Sequence, residues 1–371
     1  MAPLFAPLRR WLAVAIVAAL MFPSLGMLAT QPRATGAAED KTLAPLPAPP
    51  RSLADLGRLP RATDAYVGDH FALRGPMLDL YGGVRRRLGV RPPPDPVVQG
   101  APGWLLLNDG LMRSIGAEPD EAAIDRYAAF VCDLGAKMKA SGKPFLFAVI
   151  PGTAAIYPEA LPAWAKPAVG RTPYDVLQTR TRDCGVSSVD MRRALRAAKE
   201  TGRLYRQRDS HWTPRGALIG YNLMVSALGR PDWTILPNEA EWRSEPAIED
   251  DLAKLAGIAE RAPEAVDMPH LFAFKAAPAS PQPIPGLRDD PAQAAFMVGP
   301  GGRGPSILMI GDGYTRPFMP MFFAPFVGRF SWIAHRRCGF DPTVFDRTTP
   351  DYVILAVGER EARCEDGRPS G

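Results

Sequence analysis

The hydrophobic positions of this chain follow two periodicities. Between residues 124 and 138, apolar side chains recur at three- and four-residue steps, which predicts one buried helix face; they are Ile124, Tyr127, Ala128, Val131, Leu134 and Met138. Three short runs are almost entirely apolar, at 144–150, 306–310 and 352–357, and a further strand is predicted at Val186–Val189. Apolar strands alternating with helices are typical of an α/β fold around a mostly parallel sheet, which is the predicted fold class.

Further helices are predicted between these strands. One spans Met191–Glu200, and another follows Thr213, which can cap a helix with Pro214 at its first position and Gly229 after its end. A helix is also predicted to begin near Tyr314. The region from about 231 to 304 is polar and rich in proline, with one amphipathic piece at 252–258.

The N-terminus carries the features of an exported protein. Arg9 and Arg10 precede an uncharged stretch, Trp11–Thr30, in the order typical of a signal peptide or membrane anchor. We predict such a segment over residues 1–30; its cleavage stays open, and a buried helix is the alternative. Residues 31–62 include LAPLPAPPR, which favours an extended linker. The folded domain is predicted to span 63–365.

Composition narrows the function classes. The 371 residues carry a net charge of +5 with no basic block of five, so nucleic-acid binding lacks its electrostatic footprint. The histidines are scattered singly and no CxxC pair occurs, so no metal site is predicted. Four cysteines outside the cytoplasm allow two disulfides in any of three pairings, with buried free thiols as the alternative; they are Cys132, Cys184, Cys338 and Cys364.

The segment Arg208–Trp212 holds a candidate acid/base pair. Asp209 and His211 are two residues apart, so an extended backbone points both side chains to one face. A carboxylate beside an imidazole fixes its tautomer and raises its basicity, as a general base requires. The alternative is a solvated loop in which the pair has no function. The helix predicted directly afterwards favours function, because it would hold the pair on a rigid edge.

A second candidate segment, Ile310–Thr315, follows the apolar run at 306–310. Ligands of open α/β sheets bind at the carboxyl ends of strands, where a turn into a helix points free amides at an anion. The segment is therefore interpreted either as an oxyanion hole or as an ordinary glycine-rich turn.

Several segments in this order resemble the periplasmic alginate O-acetyltransferases of the AlgJ and AlgX type. They are GWLLLND (103–109), FAVIPGTAAIYPEALP (147–162), VDMRRAL (189–195), RDSHWTPRGA (208–217), ILMIGDGYT (307–315) and PDYVILAVGER (350–360). The similarity runs from about Tyr66 to about Arg360, and Asp-x-His-Trp is its most specific element. It implies an SGNH-hydrolase-like three-layer fold. The chain ends soon after this domain, so we expect the membrane-anchored AlgJ type rather than the AlgX type with its carbohydrate-binding module.

The resemblance also implies a function. This family moves acetyl groups onto exopolysaccharide hydroxyls in the periplasm, with a membrane-bound O-acyltransferase on the donor side and no cofactor. It makes His211 the general base, Asp209 its orienting partner and Gly313 the position of the nucleophilic serine. Oxyanion and substrate contacts are predicted for Tyr314, Thr315, Arg316 and Tyr157. The cationic or aromatic residues that are candidates to line a sugar cleft also include His335 and Arg360.

Gly313 departs from the family pattern, because a covalent acyl intermediate needs a hydroxyl or thiol beside the base. Thr315 is rotated about 200° away on a helix, and Ser210 would face the opposite side of a strand. Residues 151–154 also read Pro-Gly-Thr-Ala where the family has Pro-Pro-Asp-Lys, so a polar contact is missing.

Three hypotheses remain for the function. His211 activates a sugar hydroxyl for direct acetyl transfer, or the chain is a catalytically silent polysaccharide-binding or scaffold member of the acetylation complex. An acetyl esterase ranks third, because it needs the same missing serine. The polymer stays open among alginate, cellulose and other exopolysaccharides.

Overall fold

The computed structural model describes residues 96–364, apart from 117–120, 168–170, 248–249, 257, 259–263, 272–279, 288–294 and 300–303, together with a few positions between 35 and 66. The predicted leader at 1–30 and most of the predicted linker lie outside the described residues. Among the helices that the structure describes, none has both the length and the apolar character needed to cross a bilayer.

The described strands and helices are as follows. In chain order the strands are β1 (Thr35–Gly36), β2 (Lys41–Thr42), β3 (Val97–Gln99), β4 (Leu105–Leu107), β5 (Phe145–Ile150), β6 (Ser187–Asp190), β7 (Ala240–Pro246), β8 (Ala265–Leu271), β9 (Ala295–Val298), β10 (Ser306–Gly311), β11 (Arg329–Ala334) and β12 (Tyr352–Gly358). The α-helices are α1 (Asn108–Ser114), α2 (Glu121–Ala140), α3 (Thr153–Ile156), α4 (Pro173–Asp183), α5 (Arg192–Ala197), α6 (Pro214–Ala227), α7 (Asp251–Leu255), α8 (Met319–Phe323) and α9 (Val344–Thr348).

The chain divides into two compact units. One comprises Met1–Pro94 with Ala253–Arg261, and its short strands β1 and β2 pair antiparallel. The other comprises Asp95–Leu252 with Ala262–Gly371. All residues of the candidate site described below belong to this second unit.

A six-stranded sheet forms the centre of the second unit. Its strand order is β6-β5-β12-β10-β11-β9. The first five of these strands run parallel to their neighbours, whereas β9 pairs antiparallel with β11 at one edge. The mostly parallel α/β fold predicted from the apolar runs is therefore confirmed.

Apolar side chains cover both faces of this sheet, because successive residues of a strand point to opposite sides. Leu146 and Ala148 of β5 pack in a layer with α6, while Phe147 and Val149 pack in a second layer with α2 and α4. All four of these strand residues are fully buried. The result is three layers, with helices on both faces of a sheet whose central strands β5, β10 and β12 are largely apolar.

Sequence signals located the helix that follows the Asp-x-His segment. The Thr213 hydroxyl accepts a hydrogen bond from the Gly216 amide, and Pro214 occupies the first turn of α6. The predicted helix near Tyr314 is wrong: the chain makes turns there, and α8 begins only at Met319. The polar region at 231–304 also forms strands that hydrophobic periodicity did not indicate, including the sheet strand β9.

The four cysteines form two disulfides. Cys132 of α2 is bonded to Cys184, which directly follows α4, and Cys338 is bonded to Cys364. This is one of the three pairings that the sequence left open. The first disulfide holds α2 and α4 together on one face of the sheet, while the second ties the chain after β12 to the loop after β11.

Candidate active site at the carboxyl ends of the strands

Two distant segments meet at the carboxyl edge of the sheet. The chain between residues 204 and 213 folds back on itself, with the Arg206 amide donating to the His211 carbonyl and the Thr213 amide donating to the Leu204 carbonyl. The buried Trp212 indole then donates to the Tyr314 carbonyl at 2.8 Å. This hydrogen bond joins the Asp-x-His segment to the turn that follows β10, although 102 residues separate them.

Asp209 and His211 form a hydrogen-bonded pair. His211 Nδ1 lies 2.8 Å from Asp209 Oδ1, and the same oxygen accepts from the His211 amide. Asp209 Oδ2 accepts from Arg206 at 2.6 Å and from the Asp251 amide at 3.2 Å. Asp209 is only 3% exposed, so these bonds fix its orientation and leave Nε2 as the accessible edge of the imidazole.

His211 Nε2 points at Gly313. A β-carbon built on Gly313 would lie 2.4 Å from Nε2, far inside normal contact. The structure therefore brings together the three positions that the sequence singled out, namely Asp209, His211 and Gly313. The imidazole is close enough to occupy part of the space that a serine side chain would need.

Carboxylates around His211 control its protonation. Burial alone lowers the pKa of His211, but its hydrogen bond with Asp209 and the charges of Asp209, Asp251 and Asp312 raise that pKa above the usual 6.5. Burial acts on Asp209 in the opposite sense, yet the bond from His211 and the charges of His211 and Arg206 hold the pKa of Asp209 below its usual value.

Asp251 and Ser210 complete this network. Sequence reasoning missed both Asp251 and Arg206. Asp251 accepts hydrogen bonds from the amide and the hydroxyl of Ser210 and lies 3.6 Å from His211 Nδ1. Burial and the charge of Asp209 raise the pKa of Asp251. Arg206 bridges Asp209 and Asp250, which offsets the concentration of negative charge.

Asp312 shapes the turn between β10 and Gly313. Its carboxylate accepts from the amides of Tyr314 and Gly358, at 3.0 and 2.6 Å, and so links the ends of β10 and β12. Burial raises the pKa of Asp312 to about 6, although both amide bonds favour the charged form. Asp312 therefore has a structural task in addition to its effect on His211.

The predicted contact residues occupy different places. The Tyr314 ring lies against His211, with centroids 4.9 Å apart, and its hydroxyl donates to the Ser210 carbonyl at 2.6 Å. Thr315 is fully buried, and its hydroxyl bonds Asp312 and the Trp332 indole. Arg316 is exposed on the turn.

Tyr157 adjoins the first of these segments, and the His335 amide donates to the Gly311 carbonyl of the second. The hydroxyl of Tyr157 accepts from the Leu204 amide, and its ring packs on Trp104. His335 is buried against Tyr127, and burial lowers its pKa to about 4. Neither residue lines the cleft described next.

A cleft open to solvent lies beside the Asp209–His211 pair, on the other side of the Tyr314 ring. Arg360, a sequence candidate, lines it together with Glu359, Ser114 and Ser210. Sequence reasoning missed Glu359 and Ser114. The position of Glu359 two residues after the apolar run at 352–357 was a usable signal, because the carboxyl end of a predicted parallel strand is where ligands bind.

One group of residues in the described part of the chain has metal-ligand geometry. Ligand atoms of Asp209, His211 and Asp251 lie within 4.8 Å of one another. Both oxygens of Asp209 already carry hydrogen bonds from His211 and Arg206. A cation would have to compete with the Arg206 guanidinium for this carboxylate, so we assign no metal to the group.

A sequence comparison identifies the family. The family described as SGNH hydrolase-like domain, acetyltransferase AlgX, matches residues 97–302. The chain belongs to this family. The match covers both the Asp-x-His segment and the strands that flank it, but it ends before the turn at Gly313.

Curated relatives agree with this family over part of their length. The chain is 27% identical over 161 residues to the probable alginate O-acetylase AlgJ of Pseudomonas aeruginosa, which is 43% of this chain and 40% of that protein. It is 22% identical over 174 residues to the probable alginate O-acetylase AlgJ of Pseudomonas syringae pv. tomato, which is 47% of this chain and 44% of that protein. The chain therefore spans less than half the length of these relatives.

Two solved structures match the chain at low sequence identity. The structure of Bacillus cereus PatB1 matches with a TM-score of 0.55 at 13% identity, covering 72% of this chain and 97% of that one. The O-acetyltransferase domain of Pseudomonas putida AlgJ matches with a TM-score of 0.49 at 17% identity, covering 73% and 94%. At these identities the PatB1 likeness supports the fold alone.

Proposed function

We propose that this protein takes part in the O-acetylation of an exopolysaccharide, with Asp209 and His211 acting on the acceptor sugar. Membership of the acetyltransferase family supports the reaction class. The observation that carries the proposal is the buried, hydrogen-bonded Asp209–His211 pair whose Nε2 is directed at the turn after β10. A carboxylate that orients an imidazole at a strand end is the arrangement that general-base catalysis uses.

Direct transfer requires no covalent acyl-enzyme. In this mechanism His211 Nε2 removes the proton of a sugar hydroxyl while the sugar oxygen attacks the carbonyl carbon of an acetyl donor. The imidazolium, stabilised by Asp209, then returns the proton to the leaving group, so His211 ends neutral. His211 must therefore be neutral when the step begins. The raised pKa of His211 makes the neutral imidazole a stronger base.

We further propose the setting in which this reaction takes place. The charge order of the N-terminal residues supports export to the periplasm, with the segment at 1–30 as a signal or inner-membrane anchor. The acetyl donor would then be supplied by a membrane-bound O-acyltransferase. Alginate is the polymer in the names of the curated relatives, and it is one candidate acceptor.

A catalytically silent, polysaccharide-binding scaffold is the second candidate function. Gly313 favours it, because the position lacks a side chain and a β-carbon there would collide with His211. A chain that has lost its nucleophile and let the imidazole settle into the space would show this geometry. The two candidates differ in whether His211 turns over an acetyl group.

Acetyl transfer by the purified full chain tests the proposal. The chain is incubated with p-nitrophenyl acetate and either oligomannuronate or cello-oligosaccharide, and acetylated sugar is measured by mass spectrometry. We expect transfer that His211→Gln reduces by about 10²- to 10⁴-fold. The matched control is His270→Gln, because His270 lies exposed on β8 and is paired with Glu245.

The pH profile provides a second measurement on the same reaction. Transfer should rise with pH through a midpoint above 6.5, because His211 must lose its proton and its pKa is raised. Asp209→Asn should lower that midpoint by removing the partner that favours the charged imidazole. Oligosaccharide binding without any His211-dependent transfer would reject catalysis and leave the scaffold.

A further inference from the structure

The floor of the cleft beside Tyr314 contains two polar groups that the acid/base pair does not use. Glu359 follows β12 and is 6% exposed, while Ser114 ends α1 and is 9% exposed. The two groups flank one backbone position: a β-carbon on Gly152 would lie 3.2 Å from Ser114 Oγ and 3.6 Å from Glu359 Oε2. Glycine at 152 leaves the space between them open.

Glu359 has spare hydrogen-bonding capacity. Its Oε2 accepts from the Gly152 amide at 3.1 Å, and in the described part of the chain no donor reaches Oε1. Ser114 likewise has no hydrogen-bond partner for its hydroxyl among the described residues. Both residues line the cleft, so the carboxylate and the hydroxyl are available to a ligand that carries hydroxyl groups.

The charges around the cleft indicate that the ligand carries no carboxylate. Arg360 lines the cleft, but its guanidinium pairs with Glu361 at 3.1 Å. No cation among the described residues forms an ion pair with Glu359. Burial raises the pKa of Glu359, and the charges of Arg192 and Arg113 offset this only in part. A second carboxylate placed beside Glu359 would meet a like charge in a poorly solvated site.

The remaining walls are largely apolar and lie beside the Asp209–His211 pair. Leu107, Leu111 and Leu252 line the cleft, and the ring of Tyr314 separates it from His211. Apolar walls around a few directed polar groups suit the C–H faces and hydroxyl edges of a sugar. A polymer with one unit beside His211 has its neighbouring unit within reach of this cleft.

We propose that the Glu359–Ser114 cleft binds an uncharged glycosyl unit of the acceptor polymer through its hydroxyl groups and selects against uronates. Glu359 accepts a hydroxyl proton at Oε1, and Ser114 donates to or accepts from a second hydroxyl. The inference rests on the proposed function, which makes the ligand a polysaccharide. It adds that this polysaccharide is uncharged at the unit that occupies the cleft.

Binding of two oligosaccharides of equal length tests this assignment. Calorimetry on the full chain at pH 7 compares cellohexaose with hexamannuronate. We expect cellohexaose to bind at least about tenfold more tightly, because a uronate faces Glu359. Glu359→Ala should weaken cellohexaose binding by about ten- to a hundredfold, the value of a hydrogen bond to a charged group.

Variants separate recognition from a purely structural role. Glu359→Gln removes the charge but keeps the shape, so it should narrow the preference for cellohexaose over hexamannuronate, which a packing defect would not do. Ser114→Ala should weaken cellohexaose binding severalfold and leave the preference in place. Glu241→Gln is the matched control, since Glu241 is exposed on β7 and pairs with Arg243.

Hexamannuronate binding as tightly as cellohexaose to the unmodified chain would overturn the proposal. So would unchanged binding in both Glu359→Ala and Ser114→Ala. These results are distinct from a failure of the proposed function, because binding is measured without acetyl transfer. Binding of cellohexaose through Glu359 without any acetylation would support the role assigned to the cleft and refute the catalytic role of His211.

Discussion

Adding one methyl group at Gly313 should displace the imidazole of His211. The β-carbon of Gly313→Ala would lie 2.4 Å from Nε2, whereas ordinary contacts begin at 3.4 Å, so a movement of about 1 Å is required. Asp209 lies against the opposite edge of the ring, with Nδ1 to Oδ1 at 2.8 Å. The ring therefore cannot retreat in a straight line and has to turn, which bends its hydrogen bond to Asp209.

Two measurable losses follow from this displacement. Overpacking of this size costs about 1–3 kcal/mol, so the free energy of unfolding should fall by that amount. The pKa of His211 should also fall, because the hydrogen bond with Asp209 is the main influence raising it against burial. Both changes have the same origin and should therefore appear together.

Urea unfolding and NMR titration of the histidine ring measure these two quantities. The signal of His211 is assigned with the His211→Gln variant. Gly299→Ala is the matched control, since a β-carbon on Gly299 would meet nothing nearer than 4.0 Å. Unchanged stability and an unchanged pKa of His211 in Gly313→Ala would refute the contact between Gly313 and the imidazole.

Gly313→Ser should displace the imidazole of His211 in the same way, and it also supplies a hydroxyl. In Gly313→Ser the hydroxyl can hydrogen-bond to the turned imidazole, so part of the stability lost in Gly313→Ala should return. We expect slow hydrolysis of p-nitrophenyl acetate that the additional change His211→Gln abolishes. A folded Gly313→Ser chain without such hydrolysis would contradict the placement of the family nucleophile at Gly313.

Two further predictions concern stability. His335 is buried with a pKa of about 4, below the usual 6.5 of a histidine in the unfolded chain. The stability that neutral His335 contributes above pH 6.5 is therefore lost as the pH falls towards 4. The free energy of unfolding of the unmodified chain should fall by about 3 kcal/mol more than that of His335→Gln over this range. Equal pH curves in urea unfolding would contradict this. Replacing Cys132 and Cys184 by serine opens a link across 52 residues and should cost about 3–4 kcal/mol. A change below about 1 kcal/mol on urea unfolding would show that this disulfide constrains the unfolded chain little.

Local sequence patterns predicted much of the sheet, and they failed where tertiary packing determines the secondary structure. The runs at 144–150, 306–310 and 352–357 became β5, β10 and β12, because a strand buried on both faces must be apolar throughout. Strand β9, by contrast, lies at the sheet edge, where the antiparallel partner β11 on one side is enough to hold it. The helix predicted near Tyr314 failed because Asp312 and Thr315 satisfy the backbone of the turn with their side chains.

The same division applies to the candidate site. Adjacent residues are coupled through the backbone, so the sequence alone indicated the Asp209–His211 pair and the cap at Thr213, while the family resemblance singled out position 313. Only the tertiary structure brought Asp251 to that pair and Glu359 close to Ser114, and only it chose one disulfide pairing among three. Those contacts join residues far apart along the chain, and their distances depend on how strands and loops pack, which no local periodicity encodes.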